Sequence, residues 1–221
     1  MVLRSCEGIV NEGRRVVATS GGYIGRAMKI DVQPLTKDRW EDLVELFGRP
    51  GGSIVRGCWC MYYRRSGGSG VGVGEVNKRS LRSLVDAGTV PGLIGYRDGS
   101  PVGWISLGPR EEYAKLRRSP VMKPVDDKPV WSIVCFFVDK RARGRGVSEA
   151  LLRGAIDYAR SRGATLVEAY PVDKNEPSHP DFMFFGAKRM YDRAGFKEVA
   201  RRKETRPVVR RTLRPRKKGG G

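Results

Sequence analysis

Apolar and polar residues alternate with period two from Lys29 to Leu35. Beyond them Trp40, Leu43, Val44 and Phe47 recur at helical spacing, with Thr36 standing where an N-cap would. The chain is therefore predicted to open with a strand and a helix. Gly48 to Gly74 carries no such period. It is rich in Gly and Ser around the run Gly-Cys-Trp-Cys-Met-Tyr-Tyr-Arg-Arg, and reads as a loop. Either it walls a pocket, or it covers the core and buries Trp59 and Tyr62. A helix is predicted from Val76 to Ala87. Gly92 to Leu107 then shows two apolar runs about Asp98-Gly99, residue types that accept the positive φ of a hairpin turn. Val130 to Val138 is apolar almost throughout, as expected of a strand covered on both faces.

A helix from Val147 to Arg162 follows, with Leu151, Leu152, Ala155, Ile156 and Ala159 on one face and Gly163 as its C-cap. Thr165 to Val172 reads as a strand, Phe185 to Ala194 as a short helix stopped by Gly195, and Phe196–Arg202 with Pro207–Leu213 as a closing hairpin. The order strand, two helices, three strands, helix, strand, helix, two strands predicts a mixed α/β sheet flanked by helices, not repeated βαβ units.

Composition narrows the picture. With 221 residues and 39% hydrophobic content the chain supports one domain, placed at 29–213. A Gly- and Arg-rich extension without periodicity (1–28) precedes it, with Met28 as an alternative start, and a basic, Gly-ended tail (214–221) follows. No apolar run approaches the roughly 20 residues of a membrane span, and the first 28 residues lack a signal-peptide apolar region, so a soluble cytoplasmic protein is expected. Cys6, Cys58, Cys60 and Cys135 form no disulfide framework. Cys58 and Cys60 lack the second ligand pair of a zinc site, and with His179 as the one histidine no metal is expected. Cys135, inside an apolar run, reads as a small buried hydrophobe. The net charge of +19 is concentrated late, with ten Arg or Lys against one Glu in residues 201–218. Such a cluster suits a polyanion or a phosphorylated small molecule, although a solvated tail is the simpler reading.

The candidate chemistry lies between Val138 and Glu149. A glycine-rich turn, Arg143-Gly144-Arg145-Gly146-Val147-Ser148, joins a buried strand directly to a helix, so several backbone N–H groups converge at the positive end of the helix dipole. Gly144 and Gly146 admit a close backbone approach, and Arg141, Arg143 and Arg145 supply cations for a diphosphate or a ribose phosphate. Neither the P-loop pattern nor the dinucleotide-binding glycine pattern is present.

These residues resemble the GCN5-related N-acetyltransferases, whose hallmark is Arg/Gln-x-x-Gly-x-Gly/Ala after a strand ending in Val-Asp. Here Arg143-x-x-Gly146-x-Ser148 follows Val138-Asp139, with Ser in place of the last small residue. A second family feature, Tyr-x-x-x-Gly-Phe, is matched by Tyr191 to Phe196, and the resemblance spans about Lys29 to Leu213. It implies acetyl-CoA as co-substrate and an amine, on a small molecule or a protein, as acceptor, acetylated by direct transfer in a ternary complex. The main chain of Phe136, Phe137 and Val138 would pair with the pantetheine arm. Arg143, Gly144, Arg145, Gly146, Val147, Ser148 and Glu149 would hold the pyrophosphate. Tyr191 would protonate the leaving thiolate.

The chain departs from the family where many members carry an Asn, here Phe184, and where some carry a Glu general base, here Ser132. Glu168 is the first candidate for the missing proton acceptor and Asp173 the second; a route through Cys135 as nucleophile is disfavoured. The acceptor pocket is expected among Trp40, the Cys58–Tyr63 stretch with Trp59, Tyr62 and Tyr63, and the final hairpin, with Glu111 and Glu112 as a local acidic patch. A homodimer is compatible with the sequence. The alternative function is a non-catalytic nucleic-acid-binding protein that uses a basic surface and tail on the same scaffold.

Overall fold

A computed structural model describes residues 29–65, 74–174 and 184–214; residues 1–28, His179 and the tail from 215 onward lie outside them. Seven strands form one sheet: β1 (Asp31–Pro34), β2 (Gly92–Arg97), β3 (Ser100–Pro109), β4 (Trp131–Val138), β5 (Leu166–Ala169), β6 (Lys197–Arg201) and β7 (Pro207–Thr212), in the spatial order β1-β2-β3-β4-β5-β7-β6. Every neighbouring pair is antiparallel except β4 and β5, which run parallel. The β2–β3 turn has Asp98 at φ 50° and Gly99 at φ 77°, as its residue types require.

Helices cover both faces. One carries α1 (Trp40–Gly48), α2 (Ser53–Cys58), α3 (Gly74–Asp86) and α4 (Ala114–Arg118); the other carries α5 (Val147–Ser161) and α6 (Lys188–Arg193). Helix α5 buries Leu151, Leu152, Ala155, Ile156 and Ala159, the apolar stripe read from the sequence, together with Val147 and Ala150. Its approach to the sheet is close. A Cβ on Gly103 of β3 would fall 2.7 Å from Val147 Cγ1 and 2.9 Å from Leu151 Cδ1, so only glycine fits beneath the first turn of the helix.

Four expectations are corrected. Thr36 is not the N-cap of α1: Arg39 N–H bonds Thr36 O, closing a 3-10 turn over Lys37–Arg39, and the Thr36 hydroxyl accepts from Arg39 Nη1 at 2.8 Å. The stretch from Gly48 to Gly74 is not all loop, because α2 lies inside it; six residues are too few to show a helical period. The helix predicted from Phe185 begins only at Lys188, and the strand predicted to Val172 ends at Ala169, with Val172 surviving as an isolated bridge to Ala187.

A buried acid fastens α1 to the end of β4. Asp139 is 3% exposed and accepts from Arg141 N–H at 2.9 Å and from Arg49 Nη1 at 2.9 Å, while the same Arg49 nitrogen reaches Pro101 O. Burial alone would raise this carboxyl, but the hydrogen bonds from Arg141 and Arg49 outweigh it and hold it at about 2. A carboxylate held below its unfolded value of about 3.9 stabilises the fold above that pH, and the gain is lost as pH falls from about 4 towards 2. Asp139→Asn is therefore expected to cost about 2 kcal/mol at neutral pH and to flatten the stability curve between pH 4 and 2, as read by urea unfolding of both proteins.

Candidate active site

The site begins with a flaw in the β3–β4 ladder. Ser106 pairs with Cys135 and Leu107 with Ile133, so Val134 is an extra residue. The bulge turns both Val134 and Cys135 to the face covered by α1 and α2, while Ile133 and Phe136 face α5. It also bends β4 away from β5. The two pair only at Trp131 with Val167, Ser132 with Glu168 and Ile133 with Ala169, and part beyond.

Residues 184–188 run into that gap. Phe136 N–H donates to Phe184 O at 2.5 Å, Val172 N–H to Gly186 O at 2.9 Å and Lys188 N–H to Val172 O at 2.9 Å. Because Phe136 turns its N–H to the gap, its neighbour Phe137 turns its main chain to β3, where it pairs with Trp104. The open strand edge therefore belongs to Phe136 and Val138, and Phe137 is not part of it. Its side chain packs against Phe47 in the core.

Phe184 and Gly186 face two different cavities. The first, of about 380 Å³, lies at the start of α5 and is lined by Val138, Arg143, Gly144, Gly146, Val147, Ser148 and Glu149 from one side and by Gly186, Ala187, Arg189, Met190 and Arg193 from the other. Gly144 and Gly146 have φ of 73° and 75°, and a Cβ on either would meet no atom within 4 Å. The first helical bond of α5 is Ala150 N–H to Gly146 O, and Gly146 has no capping side chain, so the amides of Val147, Ser148 and Glu149 are the helix's unsatisfied donors. Donors of this kind at a positive helix end, behind glycines that leave the approach open, fit an anionic diphosphate. Arg143 is tied by its Nε to Val138 O at 3.3 Å, Arg141 is engaged by Asp139, and Arg145 is exposed and outside the lining.

The second cavity, of about 330 Å³, is apolar. Its walls are Val55, Cys58 and Cys60, then Tyr62 and Tyr63, then Val134, Cys135 and Phe184. Trp59 and Cys60 hold the left-handed conformation, φ 44° and 51°, which folds the turn after α2 over the bulge. Trp59 itself is core, stacked on Trp40 with ring centroids 5.8 Å apart, whereas Tyr62 is 47% exposed beneath Lys115. The covering role read from the sequence thus holds for Trp59 and fails for Tyr62. Cys60 Sγ accepts from Trp104 Nε1 at 3.1 Å. The hydrogen bond with Cys60, together with burial, pushes the Cys58 thiol up, and contact with Cys135 pushes up that of Cys60, so both remain thiols.

Tyr191 is fully buried and donates to Phe185 O at 2.9 Å; burial first, and then the neighbouring Cys135, push its phenol well above the ordinary range. Glu168 lines neither cavity. Its carboxylate is fully buried, with Oε1 accepting from the Tyr170 hydroxyl at 2.7 Å and Oε2 from Arg210 Nε at 2.7 Å, and Arg110 lies 3.6 Å from Oε1. Ser132 Oγ is 3.1 Å from the Tyr170 hydroxyl, which completes a buried chain from Ser132 through Tyr170 to Glu168. Asp173 stands apart, paired with Arg201 at 2.7 Å. Glu112 pairs with Arg64 rather than offering a free acidic patch.

Sequence reasoning missed Arg210, Tyr170, Arg189 and Arg193. Period two along β7 puts Arg210 on the same inward side as Val208, a signal that a buried arginine needs an acid. Among the described residues no helix is long and apolar enough to cross a membrane, and no group of three or more His, Cys, Asp or Glu is arranged to hold a metal ion.

The chain is similar to known proteins. The family described as "Acetyltransferase (GNAT) family" matches residues 75–196. An uncharacterized N-acetyltransferase of Methanocaldococcus jannaschii is 36% identical over 174 residues, covering 76% of this chain and 60% of that protein. The chain thus spans about three fifths of the length of that curated relative. Among solved structures, mosquito arylalkylamine N-acetyltransferase-like 5b superposes with a TM-score of 0.52 at 13% identity, covering 84% of this chain and 100% of that one. A GNAT family acetyltransferase of Streptococcus agalactiae does so with 0.50 at 11% identity, covering 84% and 96%. At such identities the likeness is one of fold.

Proposed function

The chain belongs to the acetyltransferase (GNAT) family, and from that premise we propose that it transfers the acetyl group of acetyl-CoA directly to a primary amine within a ternary complex. The observation that carries this reading is the open cavity where the unsatisfied amides of α5 meet the strand edge of Val138. Acetyl-CoA, when bound, supplies an acyl group already activated as a thioester; the rest is work for this chain's residues.

The amides of Val147, Ser148 and Glu149 and the tethered Arg143 hold the diphosphate. Phe136 and Val138 offer main-chain groups to a peptide-like arm, Phe136 after its bond to Phe184 O is given up. Tyr191, whose phenol is kept protonated by burial, donates a proton to the departing thiolate once released from Phe185 O. The amine lies in the apolar cavity, whose aliphatic, thiol and aromatic lining suits an acceptor with an apolar body. In this reading Glu168 takes up the amine's proton along the buried chain that runs from Ser132, two residues from the cavity wall at Val134, through Tyr170.

Calorimetry with acetyl-CoA and detection of free thiol on adding a panel of amines test the reading. Micromolar binding and amine-dependent thiol release are expected. Absence of acetyl-CoA binding, with a salt-dependent affinity for nucleic acid in its place, would overturn it in favour of the basic-surface alternative. Within the reading, Tyr191→Phe is expected to lower kcat about 100-fold without weakening the affinity for acetyl-CoA. The lost hydrogen bond to Phe185 O should cost only about 1 kcal/mol of stability.

A further inference from the structure

Coenzyme A carries three phosphate groups, and the start of α5 accounts for two. The third, on the ribose 3′ carbon, needs a cation of its own away from the diphosphate. Among the described residues three arginines line the cavity: Arg143, Arg189 and Arg193. Arg143 is held at the end of β4 by its bond to Val138 O. Arg193 is paired with Glu149, which offsets its charge. Arg189 is exposed and lines the cavity. Among the described residues it has neither an ion-pair nor a hydrogen-bond partner.

The helix that presents it is arranged for this. On α6, Lys188 pairs with Asp192 four residues on, at 2.9 Å, which satisfies one side of the helix internally. Arg189 and Arg193 stand at the same i, i+4 spacing on the side that lines the cavity, Arg193 engaged by Glu149 and Arg189 turned to the cavity with its charge not offset among the described residues. A guanidinium also matches a phosphate group in a bidentate manner.

We propose that Arg189, supported by Arg193, binds the 3′-phosphate of coenzyme A and so selects the phosphorylated carrier over its dephosphorylated form. The proposal rests on the reading of this site as an acetyl-CoA site. Its test is calorimetric titration of wild type, Arg189→Ala and Arg189→Lys with coenzyme A and, separately, with 3′-dephospho-coenzyme A. Wild type is expected to prefer coenzyme A by about tenfold. Arg189→Ala should lose about that factor for coenzyme A and none for the dephospho form, and Arg189→Lys should keep part of the preference because it keeps the charge. Raising the salt concentration should shrink the wild-type preference and leave the alanine variant unmoved. Equal affinity of wild type for both compounds overturns the proposal while leaving the acetyl-CoA reading intact. So does an equal loss for both compounds in Arg189→Ala, which would place Arg189 on the diphosphate. Failure of wild type to bind either compound overturns the proposal and the site reading together.

Discussion

Gly146→Trp should reduce acetyl-CoA affinity at least 100-fold and leave the protein folded. The position lines the cavity, and a Cβ built there meets no atom within 4 Å, so the indole fills the space the diphosphate needs without disturbing the core. The cost to the fold is that of a non-glycine residue at φ 75°, about 1 to 2 kcal/mol. Gly163 provides a matched control. It has φ of 84° and equally open space at the far end of the same helix. Gly163→Trp should therefore carry similar backbone strain and bind acetyl-CoA as wild type does. Calorimetry on the two variants, with thermal melts alongside, separates a blocked cradle from a weakened helix. Loss of binding in both would show that strain in α5, not occupancy of the cavity, is responsible, and unchanged binding in Gly146→Trp would remove the diphosphate from this site.

Glu168→Ala should destabilise the fold by about 3 to 5 kcal/mol, because it leaves Arg210 and Arg110 buried without the carboxylate between them. Melting temperature should fall by roughly 6 to 20 °C for a chain of this size. Arg210 retains Asp126, whose two oxygens it meets at 2.7 and 2.9 Å, so part of the network survives. A loss below about 1 kcal/mol would mean that Glu168 is not the hub the geometry describes. Since a destabilised variant says little about proton transfer, Tyr170→Phe separates the roles. It removes the hydroxyl between Ser132 and Glu168 and keeps the Glu168–Arg210 ion pair. If the amine's proton leaves by this route, kcat should fall tenfold or more, with a changed pH profile and only a modest loss of stability. An unchanged kcat and profile would leave Glu168 as architecture alone.

Local chemistry decided which features could be read ahead of the structure. The β2–β3 turn was visible because Asp98-Gly99 suits positive φ, and α5 because an apolar stripe ends at Gly163. The glycine cradle was visible for the same reason, since a strand, two glycines and a helix are contiguous in sequence. What escaped is what distance in sequence conceals. Glu168 was read as the first candidate for the proton acceptor with no partner assigned to it, because that partner, Arg210, lies 42 residues later on a strand inserted next to β5. Cys58, Cys60 and Cys135 gave no hint that they share a cavity, because it takes the extra residue Val134 to turn Cys135 to that face. Phe184 was recognised as a departure from the family's usual Asn. Its carbonyl, which makes the contact, is not a property of its side chain and has no signature in a sequence.

That contact carries a kinetic meaning. Consecutive carbonyls, Phe184 O and Phe185 O, take the Phe136 amide and the Tyr191 hydroxyl, the two donors assigned to the carrier's arm and its thiolate. On the proposed reading the chain thus carries its own competitor, tethered so that dilution never removes it. Ligand concentration can only work against the fraction of molecules in which the dipeptide has swung aside; if that fraction were about 1%, the measured affinity would be about 100-fold weaker than the intrinsic one. Association would then level off at the rate of that swing, however much acetyl-CoA is supplied, and substitutions that loosen the Phe184–Phe185 turn would tighten binding without touching the ligand.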